Sequence, residues 1–221
     1  MSVKNTLIGE QYRLIQKIGQ GSFGKVYLAH DLDNDNNPVA IKTESLNQTF
    51  SQLLKEIQNF KALESKGFPP LLKQGISVDN AMIYLVTHLL GPSLEDLFNY
   101  CGQKFTLKTT LMVFHQLLDR IEFLHGKNYI HRDIKPDNIV MGLGKASNIV
   151  HMIDFGLTRL VIDPKTNVHI PFTSGKNLIG TCRYVSVNAH MGYEQSRRDD
   201  LITLGYVIIN LIKGSLPWQG I

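Results

Sequence analysis

From Tyr12 to Ile18 apolar residues alternate loosely with polar ones, and Lys25 to Ala29 favours extended chain, which predicts two strands joined through the glycines between them. Turn formers fill Asp31 to Pro38, and Val39 to Lys42 reads as the next strand. Phe50, Leu53, Leu54, Ile57 and Phe60 then recur at helical spacing. Glu56 shares their face. A carboxylate buried without a partner is costly, so a cation is expected beside it, and Lys42 is the candidate. A strand from Met82 to Thr87 leads into Leu89-Leu90-Gly91-Pro92, which reads as a hinge.

Beyond that hinge the period changes. Ser93 caps a short helix with Glu95 and Asp96 in its first turn. Thr106 to His125 is a long amphipathic helix closed by Gly126. Short strand-like pieces surround His131 and end at Ile153, and Asp200 to Leu211 is an apolar helix after an irregular stretch. Early strands and later helices predict an α+β fold in two lobes. Residues 1–91 form a sheet with one helix, and residues 92–221 form a mainly helical part.

Composition narrows the class. The 221 residues are 43% hydrophobic and 19% charged, an ordinary globular balance, with a net charge of +4. Arg197-Arg198 is offset at once by Asp199-Asp200 and no basic stripe runs along the chain, which argues against nucleic acid as a partner. Cys101 and Cys182 form no CxxC pair and fit a reducing compartment. Met1 to Tyr12 lacks the apolar core of a signal peptide, and Leu204 to Ile212 is interrupted by Asn210 and too short to span a bilayer. A soluble intracellular protein with no membrane partner is expected, cytoplasmic with the nucleus as a second location. None of the eight histidines has zinc-ligand spacing.

Three motifs carry chemistry. Gly19-Gln20-Gly21-Ser22-Phe23-Gly24 is a GxGxxG, compatible with a dinucleotide-binding turn, a plain hairpin or a loop closing over phosphates. A dinucleotide turn needs a helix after the last glycine, whereas Lys25-Val26-Tyr27-Leu28 favours a strand. The second motif is His131-Arg132-Asp133-Ile134-Lys135-Pro136-Asp137-Asn138, and the third is Asp154-Phe155-Gly156. Asp133 can accept a proton from an alcohol, and Lys135 can neutralise charge on a phosphoryl in flight. Asn138 and Asp154 offer the oxygens that hard Mg²⁺ requires. Lys42 would bind the α- and β-phosphates with Glu56 fixing its position. His131 reads as a packing and hydrogen-bonding residue. A binding module that holds nucleotide without turnover is the alternative reading.

These residues resemble the eukaryotic protein kinase family over essentially the whole chain, and Lys135 to Asn138 is similar to the serine/threonine type. More narrowly, Leu89 to Phe98, Ser186-Val187-Asn188, Glu194 to Leu201 and Gly214 to Gly220 resemble casein kinase 1, with Val187 to His190 also similar to tau-tubulin kinases. The resemblance implies a serine/threonine protein kinase using ATP and Mg²⁺ on acidic or already phosphorylated protein substrates, working as a monomer. It implies that Ile18, Gly19, Gln20, Gly21, Ser22, Phe23, Gly24, Lys25 and Val26 cover the nucleotide. Ala40 would touch the adenine, Thr87 would be the gatekeeper, and His88 to Leu90 would offer hinge backbone groups.

By the same resemblance Asp200 supports the catalytic loop, and Lys176, Arg183, Gly214 and Ser215 belong to a substrate anion pocket. Lys25, His88 and Ile202 stand where acidic residues are usual in that family. Activity without phosphorylation of the activation segment is implied. The chain stops at Ile221, before the last helices of the family's helical lobe, so some of Ile208, Ile209, Leu211 and Ile212 are expected to lie exposed.

Overall fold

The alternating segments of the first part pair into one six-stranded antiparallel sheet in a computed structural model that describes residues 6–21, 24–47 and 51–220. Its strands are β1 (Leu7–Ile8), β2 (Tyr12–Gly21), β3 (Gly24–Asp31), β4 (Asn37–Ser45), β5 (Leu71–Ser77) and β6 (Met82–His88), in the order β1-β2-β3-β4-β6-β5. The chain divides into two compact units, residues 1–90 and 91–221. The α+β class is the one expected.

Period-two alternation gives the sheet two different faces. Val39 and Ile41 of β4 join Ile8, Tyr12, Leu14, Tyr27, Ala29, Tyr84 and Val86 in one buried cluster. The intervening residues Ala40, Lys42 and Glu44 project to the other face, and cross-strand pairing sets Lys42 opposite Leu85 and Glu44 opposite Ile83. Helix α1 (Gln52–Ala62) packs there and buries Leu53, Glu56, Ile57, Asn59 and Phe60. Phe50, expected in this helix, lies outside the described residues.

In the second unit α2 (Leu94–Tyr100) opens on a reciprocal cap, with Ser93 Oγ accepting from Asp96 N and the Asp96 carboxylate accepting from Ser93 N. Helix α3 (Leu107–Gly126) is capped by Thr106 and buries Val113, Leu117, Ile121 and Leu124. Gly126 is its last helical residue, and the left-handed turn that stops it falls at Asn128. Short strands follow: β7 (Tyr129–Ile130), β8 (Ile139–Met141), β9 (Val150–Met152) and β10 (Arg159–Leu160), in the pairs β7–β10 and β8–β9. Two helices complete the unit, α4 (Val187–His190) and α5 (Arg197–Lys213).

The structure departs from the sequence reading at several points, the short strand β1 among them. Strand β5 was not anticipated, because Leu71–Ser77 lacks clean alternation; it is an edge strand paired only with β6. Helix α5 begins at Arg197 rather than Asp200, because the Asp199 carboxylate accepts the Ser196 N–H at 2.7 Å and caps the turn earlier. Among the four apolar residues expected to include exposed ones, Leu211 is fully buried and only Ile209 is exposed.

The β2–β3 hairpin is tied to β4 by close backbone approach. A Cβ added at Gly24 would stand 2.5 Å from the Thr43 carbonyl oxygen, whereas one added at Gly21 would meet nothing within 4 Å among the described residues. Gly24→Ala is therefore expected to cost about 1–3 kcal/mol of stability by crowding a packed backbone, and Gly21→Ala to stay within about 0.5 kcal/mol. Denaturant melts of the two variants check the contrast.

Candidate active site

Two clusters of polar side chains stand out, one in each unit. In the first, β4 carries Lys42 and α1 carries Glu56, and Lys42 Nζ lies 2.6 Å from Glu56 Oε2. Both side chains are largely withdrawn from water, at 14% and 3% exposure, so removal of either leaves a desolvated charge. Beside them runs the β2–β3 hairpin. Val26 is paired with both Gly19 and Lys42, and Gln20 with Lys25. A register shift between Lys17 and Gly19 leaves Ile18 at an irregularity of the strand, half exposed. Ser22 and Phe23 lie outside the described residues. Ala40 is paired with Thr87 of β6, and His88 ends that strand before Leu90.

The second cluster is built on the segment 131–138. Asp133 is buried, and its carboxylate meets three donors: Thr181 Oγ1 at 2.7 Å on Oδ1, with Lys135 Nζ at 3.0 Å and Asn138 Nδ2 at 3.1 Å on Oδ2. Such contacts fix its orientation. His131 Nδ1 accepts the Asp133 N–H at 3.2 Å, so Nε2 carries the proton and donates to the Ile153 carbonyl oxygen, also 3.2 Å away. One neutral tautomer satisfies both bonds. His131 is structural, as the sequence reading expected.

The backbone of this segment is held from α5. Asp200, 2% exposed, accepts from His131 N at 2.8 Å and from Arg132 N at 3.0 Å, and its Oδ2 lies 2.9 Å from His125 Nε2. Arg132 adopts a left-handed φ of 70°, which a non-glycine residue holds only where its surroundings impose it. Its guanidinium donates to the Leu157 carbonyl at 2.7 Å. Burial, then the neighbouring Arg159, push its pKa down to about 10, against the pull of Glu194 and Asp200.

Asp154 sits beside this loop and also has a left-handed φ, 64°. The preceding residue is pinned on both sides: Ile153 N donates to the Asn138 carbonyl at 3.0 Å while its own carbonyl takes the His131 bond. Phe155 follows, fully buried with its ring edge-on to His131 at 5.6 Å. The two segments that carry Asn138 and Asp154 are thus joined through Ile153. Because Asn138 donates its amide nitrogen to Asp133, its oxygen is turned to the opposite side. An amide oxygen and a carboxylate suit a hard divalent cation such as Mg²⁺, so the residues fit that metal.

The candidates for an anion pocket have other partners. Lys176 Nζ is 3.3 Å from Glu194 Oε2, and Arg159 holds the other oxygen at 2.9 Å. Arg183 lies over the Tyr184 ring, and its carbonyl accepts from Trp218 Nε1 at 2.9 Å. Gly214 closes α5 in a left-handed turn, φ 89°, with Ser215 exposed beside it.

Sequence reasoning missed Thr181 as a partner of Asp133 and Glu194 as the counter-ion of Lys176 and Arg159. Neither has a periodic signal. The nearest clue is Gly180, whose φ of 105° and hypothetical Cβ at 2.4 Å from the Arg132 carbonyl press this segment directly on the 131–138 loop.

A family model for the protein kinase domain matches residues 12–221, so the chain belongs to that family. For a kinase, Thr181→Val is expected to lower kcat by about 10–100-fold, the worth of a hydrogen bond to a charged group, while KM for ATP stays within about threefold. Thr181→Ser restores the donor and most of the rate. Steady-state kinetics on a peptide substrate measures both.

Proposed function

From membership of the protein kinase family as premise, we propose that this enzyme transfers the γ-phosphoryl of ATP to serine or threonine in acidic or already phosphorylated proteins, in the manner of casein kinase 1. The observation that carries the proposal is the Asp133 carboxylate, gripped by Lys135, Asn138 and Thr181. Asp133 accepts the proton of the substrate hydroxyl as its oxygen attacks the γ-phosphorus, and the bond to the β-phosphate oxygen breaks to release ADP. Lys135, 3.0 Å from Asp133, stands where it can neutralise the oxygens of the phosphoryl in transfer. Lys42, steadied by Glu56, takes the α- and β-phosphates. When bound, Mg²⁺ would supply charge neutralisation for the transfer, and Asn138 and Asp154 are the residues that would hold it.

Substrate preference is read from charge. Arg183 is a cation of the segment that follows Asp154, and guanidinium suits bidentate phosphate contact. Lys176 of the same segment is paired with Glu194 and would have to exchange that partner for a phosphate. The free cysteines Cys101 and Cys182 are exposed, which fits a reducing compartment. No helix among the described residues is long and apolar enough to cross a membrane. A monomer acting in the cytoplasm, and also in the nucleus, belongs to the same proposal.

The test is Asp133→Asn. Transfer to an acidic or primed peptide is expected to fall by at least about a thousandfold, as loss of the positioned base and its charge requires. MgATP affinity should stay within about threefold, because Asp133 touches the acceptor rather than the nucleotide. Near-normal turnover by this variant contradicts the assignment. An unsubstituted chain that binds MgATP but transfers nothing supports a silent binding module instead.

A further inference from the structure

We propose that Glu44 is a positioning residue for phosphoryl transfer, acting through α1 on the Lys42–Glu56 pair. The inference rests on the kinase reading above and assigns a second hold on the helix that carries Glu56. Lys42 and Glu44 stand two residues apart on β4, so both project toward α1. Glu44 is 2% exposed, and its Oε2 accepts the backbone N–H of Leu53 at 2.6 Å. Leu53 lies in the first turn of α1, three residues before Glu56 and therefore on the same side of the helix.

First-turn amides have no partner inside their helix. Ser51 Oγ serves Leu54 N at 3.1 Å, a local cap that ties the helix only to the residue just before it. Glu44 serves Leu53 and holds the helix to the strand. Strand and helix are thus joined twice: a strand cation meets a helix carboxylate, and one turn earlier a strand carboxylate meets a helix amide. A single bond leaves α1 free to pivot about it. Two bonds spaced along the axis fix its rotation and its advance, and with them the place of the Glu56 carboxylate beside Lys42.

The carboxylate is also costly where it stands. Its second oxygen, Oε1, is buried without a hydrogen-bond partner among the described residues. An apolar side chain of similar volume would fill the space without that cost. What an apolar residue lacks is an acceptor, and a negative one, at the positive end of the helix.

The experiment is a double-mutant cycle on the full chain. Glu44→Leu and Glu44→Gln are made in the unsubstituted protein and in Glu56→Gln, with kcat, KM for ATP and melting temperature measured for each. Glu44→Leu is expected to lower kcat by about tenfold in the unsubstituted protein but by less than about twofold once Glu56 is already replaced. Glu44→Gln keeps an acceptor for the Leu53 amide and is expected to retain kcat within about threefold.

A merely structural Glu44 lowers the melting temperature while the kcat losses in the two backgrounds simply add, and additive losses overturn the proposal. So does wild-type kcat in Glu44→Leu. If Glu44→Leu does not fold, hydrogen exchange on the unsubstituted protein decides: a Leu53 amide that exchanges like an open helix end overturns the assignment, and a protected one together with the Glu44→Gln result supports it. If the unsubstituted chain binds MgATP without transfer, the kinase reading fails by itself. The same cycle is then read in the MgATP dissociation constant, where non-additivity is still expected.

Discussion

One buried carboxylate organises the 131–138 loop of the second unit. Asp200 presents two oxygens to two successive backbone amides, His131 and Arg132, and meets His125 as well. Two neighbouring amides can aim at one carboxylate only if the chain between them turns sharply, and the positive φ of Arg132 is that turn. Its strain is sustained because buried donors left without an acceptor would cost more. From that fixed turn the next residue, Asp133, is delivered to Lys135, Asn138 and Thr181, and His131 reaches across to Ile153 and so locates Asp154. The site is therefore less a collection of reactive groups than the consequence of one helix start, at Ser196, that places Asp199 and Asp200 in its first turn.

The first unit works by a similar economy. One short stretch of β4 buries Val39 and Ile41 on one side of the sheet and offers Lys42 and Glu44 to α1 on the other. Period two does this unaided, because a strand that covers a core with alternate residues has the intervening ones left for chemistry. In both halves the reactive side chain has been taken from water and its geometry fixed by neighbours before any substrate arrives, which is the condition for electrostatic stabilisation of a transition state.

Much of this was legible in the residues. The strands from Tyr12 to Lys42 and from Met82 to Thr87, the helix bearing Glu56, the cap at Ser93 and the helix from Thr106 follow from periodicity and capping chemistry, and the Lys42–Glu56 pair follows from the cost of burying a lone carboxylate. Asp133, Asn138 and Asp154 stood out as candidates because the spacing of those residue types is specific, and the structure bonds Asn138 to Asp133 and to the residue before Asp154. What stayed hidden was contact between segments distant in sequence and lacking a period. Thr181 lies in an irregular stretch and meets Asp133 only because Gly180 lets two backbones touch. Glu194 takes up Lys176 and Arg159, cations that sequence alone leaves available to a ligand. Edge strand β5 was missed because it has one neighbour and an exposed side, so little of its sequence is constrained.

The most direct measurement combines hydrogen exchange and turnover in Asp200→Asn. An amide offers one acceptor where the carboxylate offered two, so one of the buried N–H groups of His131 and Arg132 is left facing a donor. Exchange at these amides should quicken by at least about tenfold, and kcat should fall by about a hundredfold, the cost of roughly 2–3 kcal/mol of lost placement. Unchanged protection of both amides, together with turnover within about twofold of the unsubstituted enzyme, would contradict the account.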